Sequence, residues 1–210
     1  MEIVLVVFFS YLSGSIPFGL ILTKFFGDQD VRKIGSGNIG ATNVLRTGNK
    51  LLAVTTLILD ILKGYVPVVI TQQFFSEYLH LSALMAFLGH IFPIWLKFKG
   101  GKGVATYLGI LFALSYGLSV LFIFTWIVVS LIFKYSSVSS MFASFTVFVI
   151  HTMREIAGPI FKIMSDQTFK TYEIDASLSL LLFIFFILII FTHRKNISNL
   201  KNKTEHKIKI

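Results

Sequence analysis

Two polar, glycine-rich segments interrupt an otherwise apolar chain: "GSGNIGATNVLRTGNK" from Gly35 to Lys50 and "KFKGGKGVAT" from Lys97 to Thr106. With "KYSSVSS", Lys134 to Ser140, and "THRKNISNL", Thr192 to Leu200, they supply cations, amides, hydroxyls and flexible backbone N–H groups, and almost no carboxylates. That inventory suits an oxyanion, above all a phosphate. Glycines let backbone N–H groups approach phosphate oxygens closely, and a lysine neutralises the charge.

Within these segments individual residues stand out. Lys102, flanked by Gly100, Gly101 and Gly103, sits in a loop kept narrow by glycine and is a better ligand candidate than Lys97 or Lys99, which can snorkel at a membrane edge. Arg46 follows Asn38, Thr42 and Asn43 and reads as part of a pocket. Gly35, Gly37 and Gly40 spell GxGxxG, but a membrane span rather than a βαβ strand precedes them, so the dinucleotide reading fails. Gly100 to Thr106 is not a Walker loop either, because no Ser or Thr follows the lysine and the glycine spacing is wrong. His193 and Asn196, at i and i+3, share one helix face and can aim at one ligand. His90, just before Pro93, is expected to satisfy a helix carbonyl.

These loops need a scaffold, and composition says which. The chain has 210 residues, 23 of them Phe, and is 55% hydrophobic, with a mean hydropathy of +0.79. So apolar a chain of this length is an integral membrane protein. The first apolar run, after Met1 and Glu2, lacks a basic leader and is expected to be retained as a span. Candidate spans lie near Ile3 to Phe26, Leu51 to Ile70, Leu79 to Leu96, Val104 to Phe133, Val138 to Met153 and Leu178 to Thr192. The fourth is too long for one crossing and short for two, with a turn signal at Ser115, Tyr116 and Gly117.

Charge decides that case. Divided at the turn, the run gives seven spans and puts the Lys24 to Lys50 loop, Lys97, Lys99, Lys102, Lys134 and the basic tail on one side, leaving only Arg154, Lys162 and Lys170 opposite. Undivided, it spreads Lys and Arg over both sides. The positive-inside rule therefore favours an all-α protein of seven transmembrane helices, N-terminus outside and C-terminus cytoplasmic, over a single domain, 1–210. The +9 net charge flanks lipid, and nucleic-acid binding is not expected. The polar segment Glu155 to Asp175 reads as a solvated connector. Inside the membrane, Asp60 and Lys63 are expected to pair with each other or with Arg and Asn groups nearby, since an unpaired charge there is costly. Gly14, Ser15, Pro17 and Gly19 in "GSIPFG" should break the first helix, tolerated only where backbone faces protein or water. The absence of cysteine excludes disulfides and thiol nucleophiles, and scattered carboxylates and histidines offer no metal site.

In order, "GSIPFG", "DVRKIGSGNIGATNVLRTGNK", "LDILKG", "GHIFPIWLKFKGGKGVAT", "KYSSVSS" and "HRKNI" resemble the PlsY family of membrane acyl-phosphate:glycerol-3-phosphate acyltransferases over nearly the whole chain. The resemblance implies a seven-span enzyme of the bacterial plasma membrane with its site on the cytoplasmic side. It implies transfer of a fatty acyl group from acyl phosphate to the sn-1 hydroxyl of glycerol 3-phosphate, the first acylation of phospholipid synthesis, giving lysophosphatidic acid and phosphate. No cofactor is implied; the expected partners are the two substrates, membrane lipid and a soluble enzyme producing acyl phosphate.

Carried over by motif, Ser36, Asn38, Arg46, Lys102 and Ser140 match phosphate-binding positions, His193, Asn196 and Lys102 catalytic ones, with Gly37, Gly40, Thr42, Asn43, Gly100, Gly101, Gly103 and His90 in support. The chain departs from the family at Asn199, where a basic residue is usual, and at Lys203, where glycine is usual. The donor is an activated anhydride, so direct attack without an acyl-enzyme is expected, with either His193 or a substrate phosphate as the proton acceptor. The His-x4-Asp motif of another acyltransferase class is absent: no Asp stands five residues after His80, His90, His151, His193 or His206. A transporter or channel for an organic phosphate is the competing reading, motivated by the broken first helix and the Asp60–Lys63 pair.

Overall fold

The first apolar run breaks where its sequence says it must. Pro17 lacks an N–H and forces the preceding residue out of the helical region, and Ile16 is extended at φ −64, ψ 117. The computed structural model, which describes residues 1–164 and 176–208 (side chains to 157 in the first stretch), accordingly begins with two helices, α1 (Glu2–Ser15) and α2 (Phe18–Phe26), bent by 40°. Eight more follow: α3 (Ala41–Val44), α4 (Lys50–Phe74), α5 (Leu79–Ile91), α6 (Val104–Leu114), α7 (Tyr116–Phe133), α8 (Ser136–Met164), α9 (Ala176–Thr192) and α10 (Arg194–Lys201). No strand occurs among the described residues. The segment from Glu155 to Asp175, expected to be a connector, instead continues α8 as far as Met164, and residues 165–175 lie outside the described ones.

The long apolar run divides at the turn signal. Ser115 leaves the helical region at φ −162, ψ 115, and its hydroxyl accepts the Leu118 N–H, so one residue ends α6 and caps α7. By length and composition four helices can cross a membrane, or six when the α1–α2 and α9–α10 pairs each count as one bent crossing. The 11 apolar residues of α6 are shorter than these.

Without water, helices associate through close contact at small residues. Gly14 lies against the Ala86 carbonyl and Gly89 against that of Tyr11, which locks α1 to α5. Gly64 meets the Thr106 carbonyl and Gly109 that of Ile61, which locks α4 to α6; a Cβ at any of the four would collide with backbone. Pro67 inside α4 leaves the carbonyl four residues back, at Lys63, without its helical donor. The Ser13 hydroxyl of α1 supplies one at 3.3 Å.

Two cores result. The larger gathers Phe87, Tyr107, Phe122 and Phe185 with Val68, Ile110, Leu182 and Ile189, the rings in tilted and edge-on contacts with centroids 5.0 to 6.4 Å apart. The smaller, made of Leu20, Val31, Ile39, Val44, Leu52 and Ala53 with Leu96 beside it, lies beneath the first glycine-rich loop.

Candidate functional site

The first loop is organised by Asn43, which is buried. Its Oδ1 accepts from the Ser36 N–H at 3.0 Å and the Ser36 hydroxyl at 3.3 Å. Its Nδ2 lies 2.8 to 2.9 Å from the carbonyls of Val31, Ile34 and Asn38, so two hydrogens are shared among three acceptors. One side chain on the short α3 thus ties down the backbone from Val31 to Asn38. Gly35, at φ 54, passes so close to Asn43 and Arg46 that a side chain there would strike both. Among the described residues Arg46 has a single hydrogen bond, Nη1 to Asn43 Oδ1 at 3.5 Å, and the residue is exposed to solvent. Ser36, Asn38, Gly37 and Gly40 are half-buried, Thr42 is exposed, and the Asn38 side chain has no protein hydrogen bond among the described residues.

The second loop turns through two left-handed residues, Lys97 (φ 52) and Phe98 (φ 61), and is pinned to the end of α5. Gly100 N–H donates to the Ile91 carbonyl and Gly101 N–H to that of His90. The His90 ring lies against Gly101, where a Cβ would collide with its Nε2, and its Nδ1 is 2.9 Å from the Thr106 hydroxyl. The His90 ring therefore bonds the Thr106 hydroxyl rather than the helix carbonyl expected of it, and it carries the loop because Gly101 packs on it and donates to its own carbonyl. Lys102 follows, half-buried, with its own carbonyl accepting from the Thr192 hydroxyl at 3.2 Å. Its ammonium has no hydrogen-bond partner among the described residues. Burial pushes it down to about 8; Glu205 opposes that shift, while the charges of Arg46 and Lys195 add to it.

His193 is the first residue beyond α9 and is 1% exposed. Its Nδ1 lies 2.8 Å from the Ile189 carbonyl. That oxygen can only accept, so Nδ1 carries the proton and Nε2 is left as the acceptor. Burial and the nearby Lys102 charge push this imidazole down to about 4, against the Ile189 bond and Glu205, which raise it. Asn196, also buried, donates from Nδ2 to Glu205 Oε1 at 2.5 Å. A carboxylate has no donor, so the amide is oriented and its Oδ1 faces away from Glu205.

Sequence reasoning passed over Glu205. After α10 the chain reverses at Lys203, left-handed at φ 58, a conformation that glycine adopts freely, and returns across the start of α8. There Ile208 N–H donates to the Lys134 carbonyl at 2.7 Å. Glu205 Oε1 accepts from Ser137 at 3.0 Å and Oε2 from Asn199 at 3.3 Å. Ser137 is therefore the serine of "KYSSVSS" that faces this group. Ser140, 1% exposed, donates to the Ser136 carbonyl at 2.8 Å and accepts from Trp126 Nε1 at 3.1 Å. Its hydroxyl hydrogen must be redirected before it can serve a ligand.

Arg46, Lys102, Lys195, His193, Asn196 and Glu205 thus meet at one end of the bundle, where the loops after α2 and α5 adjoin the end of α9 and the returning tail. Among these six residues cations exceed anions, and the Glu205 carboxylate is spent on Ser137, Asn196 and Asn199. The GxGxxG run lies in a loop between helices, with no strand before it.

A family model described as "Glycerol-3-phosphate acyltransferase" matches residues 4–203. The chain belongs to that family. A glycerol-3-phosphate acyltransferase of Pelagibacter ubique is 51% identical over 210 residues, all of both chains. One from Mesorhizobium japonicum is 47% identical over 207 residues, 98% of this chain and 96% of the relative. Among solved structures, PlsY (YgiH), an integral membrane glycerol 3-phosphate acyltransferase, in its glycerol 3-phosphate form matches with a TM-score of 0.83 at 34% identity over 100% of this chain and 96% of that one. Its lysophosphatidic acid form gives 0.80 at 33% identity, over 99% and 95%. The protein is a membrane glycerol-3-phosphate acyltransferase, and the transporter reading falls.

Proposed function

We propose that the donor is an acyl phosphate, that the reaction is direct attack in a ternary complex, and that the residues gathered at the loop end of the bundle carry it. The sn-1 hydroxyl oxygen of glycerol 3-phosphate bonds to the acyl carbonyl carbon, the carbonyl-carbon-to-phosphate-oxygen bond breaks, and inorganic phosphate leaves. Arg46 and Lys102 neutralise phosphate charge. Ser36, Asn38 and the N–H groups of both glycine loops orient the phosphates. Asn196 holds glycerol phosphate or polarises the carbonyl with its remaining amide hydrogen. Ser140 is a phosphate ligand in this scheme once its hydroxyl turns from Ser136.

The proton goes to a phosphate oxygen. An imidazole at about 4 is a weak base, whereas a phosphate monoester has a second pKa near ~6, closer to the optimum for proton transfer at neutral pH. His193 then accepts through Nε2 from the neighbouring sn-2 hydroxyl, which keeps its proton, and so positions the attacking sn-1 hydroxyl.

The observation that carries this reading is the Lys102 ammonium, half-buried with no hydrogen-bond partner among the described residues and with cationic neighbours at Arg46 and Lys195. Such a cluster is satisfied by an anion. The same reading makes the chain one seven-span domain in which α6 is the short crossing. The loop end faces the cytoplasm across a bacterial inner membrane, and a soluble enzyme supplies acyl phosphate there. Purified protein given acyl phosphate and glycerol 3-phosphate should release lysophosphatidic acid and phosphate stoichiometrically, with acyl-CoA a poor donor. Equal turnover with acyl-CoA, or none with acyl phosphate, overturns the assignment.

A further inference from the structure

Asp60 and Lys63 are almost fully buried in α4, 3% and 4% exposed, one turn apart, with Lys63 Nζ 2.7 Å from Asp60 Oδ1. No substrate loop touches them directly, so the reaction scheme leaves them unused. The ammonium has a second bond, however. It donates at 2.6 Å to the Ile16 carbonyl, at the break between α1 and α2, and stands 5.6 Å from the centroid of the Phe18 ring just beyond. A broken helix in lipid leaves carbonyls that need donors; the Ile16 carbonyl takes the Phe18 N–H at 3.1 Å, and Lys63 is its donor from outside the α1–α2 pair.

Each side of this point leads to one of the phosphate loops. Beyond the break, Gly19 of α2 lies against the Ile39 carbonyl, and Leu20 packs with Val31, Ile39 and Val44 beneath the loop that carries Arg46. Next to Lys63, Gly64 lies against the Thr106 carbonyl. The Thr106 hydroxyl meets His90, whose ring and carbonyl hold Gly101 beside Lys102. One turn of α4 therefore stands under both loops.

We propose that Asp60 and Lys63 are positioning residues for the acyl transfer: the pair fixes the Ile16–Pro17 break and thereby seats the Arg46 loop beside the Lys102 loop. Asp60 Oδ1, 2.7 Å from Nζ, holds the lysine end group in place, and Lys63 sets the direction in which α2 leaves. This rests on the reading of Arg46 and Lys102 as the phosphate ligands.

The test compares Lys63→Met, Lys63→Arg and the double variant Asp60→Leu/Lys63→Met in a bilayer. The double variant leaves no unpaired buried charge, and such replacements are often tolerated or stabilising. It should keep a wild-type melting temperature yet show a KM for glycerol 3-phosphate raised about 10-fold or more, with a smaller change in kcat. Lys63→Arg, which retains charge and donor, should recover most of the loss.

Spin labels on cysteines placed at the exposed Thr42 and Lys99 of this cysteine-free chain read the geometry directly. Their distance distribution should be narrow in the parent and shifted or broadened in Lys63→Met and the double variant. An unchanged distribution, or a loss confined to folded yield with KM intact, overturns the proposal. Lys102→Ala in the same assay separates the two layers. If it leaves both KM values unchanged, the phosphate-ligand reading has failed; if it raises them while the Asp60 and Lys63 variants do not, only the positioning role has.

Discussion

Asn196 Nδ2 donates to Glu205 Oε1 across a chain reversal, at 2.5 Å, so the tail is a working wall of the site rather than a trailing end. Glu205 also holds the Lys102 ammonium up against burial. Glu205→Gln keeps the shape but replaces one oxygen by an NH2 group that cannot accept from Asn196 or Asn199. Losing a buried charge-assisted bond costs about 1.5 to 3 kcal/mol, so kcat/KM should fall roughly 10- to 150-fold. The alkaline limb of the pH profile should also move to lower pH, because the group that raises Lys102 is gone. A profile of unchanged shape would place Glu205 outside the electrostatics of the site.

Lys102 supplies the second prediction. Its folded value of about 8 lies below the ordinary 10.5, so the cation proposed to bind phosphate is present below that pH and lost above it. The free-enzyme profile, kcat/KM, should fall on the alkaline side from about pH 8. The kcat profile should fall later, since bound phosphate favours the ammonium. Lys102→Ala should cost about 2 to 4 kcal/mol, roughly 30- to 1000-fold. Lys102→Arg should abolish the limb, because guanidinium does not titrate there. Persistence of the limb in the arginine variant would assign it to another group.

The third prediction concerns the path through the membrane. Tyr116, 73% exposed, starts α7 at the Ser115 turn, and seven crossings require that turn to lie outside. Single cysteines at Tyr116 and Glu77 should react with an impermeant thiol reagent added to intact cells, and those at Lys99 and Lys201 should not. Labelling at Lys99 with protection at Tyr116 would invert the topology.

What the sequence could reveal about the site follows from distance along the chain. Gly35 to Arg46 and Gly100 to Gly103 are contiguous, and glycine beside a cation announces itself; His193 and Asn196 are one helical turn apart. The division at Ser115 was legible because a local turn signal coincided with a charge imbalance. The Asp60–Lys63 pair was legible because its spacing is that of a helix face and lipid permits little else. Glu205 was not, because its role depends on a left-handed turn at Lys203 that brings it back onto Ser137 and Asn196. Nor could type and spacing rank Ser137 and Ser140, which are i and i+3 on α8: the Ser140 hydroxyl is taken up by Ser136 and Trp126, while Ser137 meets Glu205 only because the tail returns onto it. Asn43 was read as a supporting residue; its hold on three carbonyls depends on the fold of the loop.

His193 decides the chemistry. Its Nδ1 proton is committed to the Ile189 carbonyl, with no carboxylate to strengthen Nε2, and its value of about 4 makes it neutral throughout the working range. If His193 were the base, the acidic limb of kcat/KM would lie near pH 4 and vanish in His193→Gln, with losses on the order of 100- to 10,000-fold. If substrate phosphate takes the proton, the limb lies near ~6, the second ionisation of a phosphate monoester. It then persists in His193→Gln, whose amide oxygen keeps an acceptor toward the hydroxyl, and the loss should stay within about 10-fold. His193→Ala, which removes the acceptor as well, should lose more while keeping the same limb. Stability gives an independent check. A histidine held below its ordinary 6.5 binds fewer protons folded than unfolded between about pH 4 and 6.5, so stability falls as the pH drops through that window. The melting temperature of the parent should decline from pH 6.5 towards 4 more steeply than that of His193→Gln. An acidic limb near 4 that disappears in both variants would make His193 the base and end the substrate-assisted mechanism.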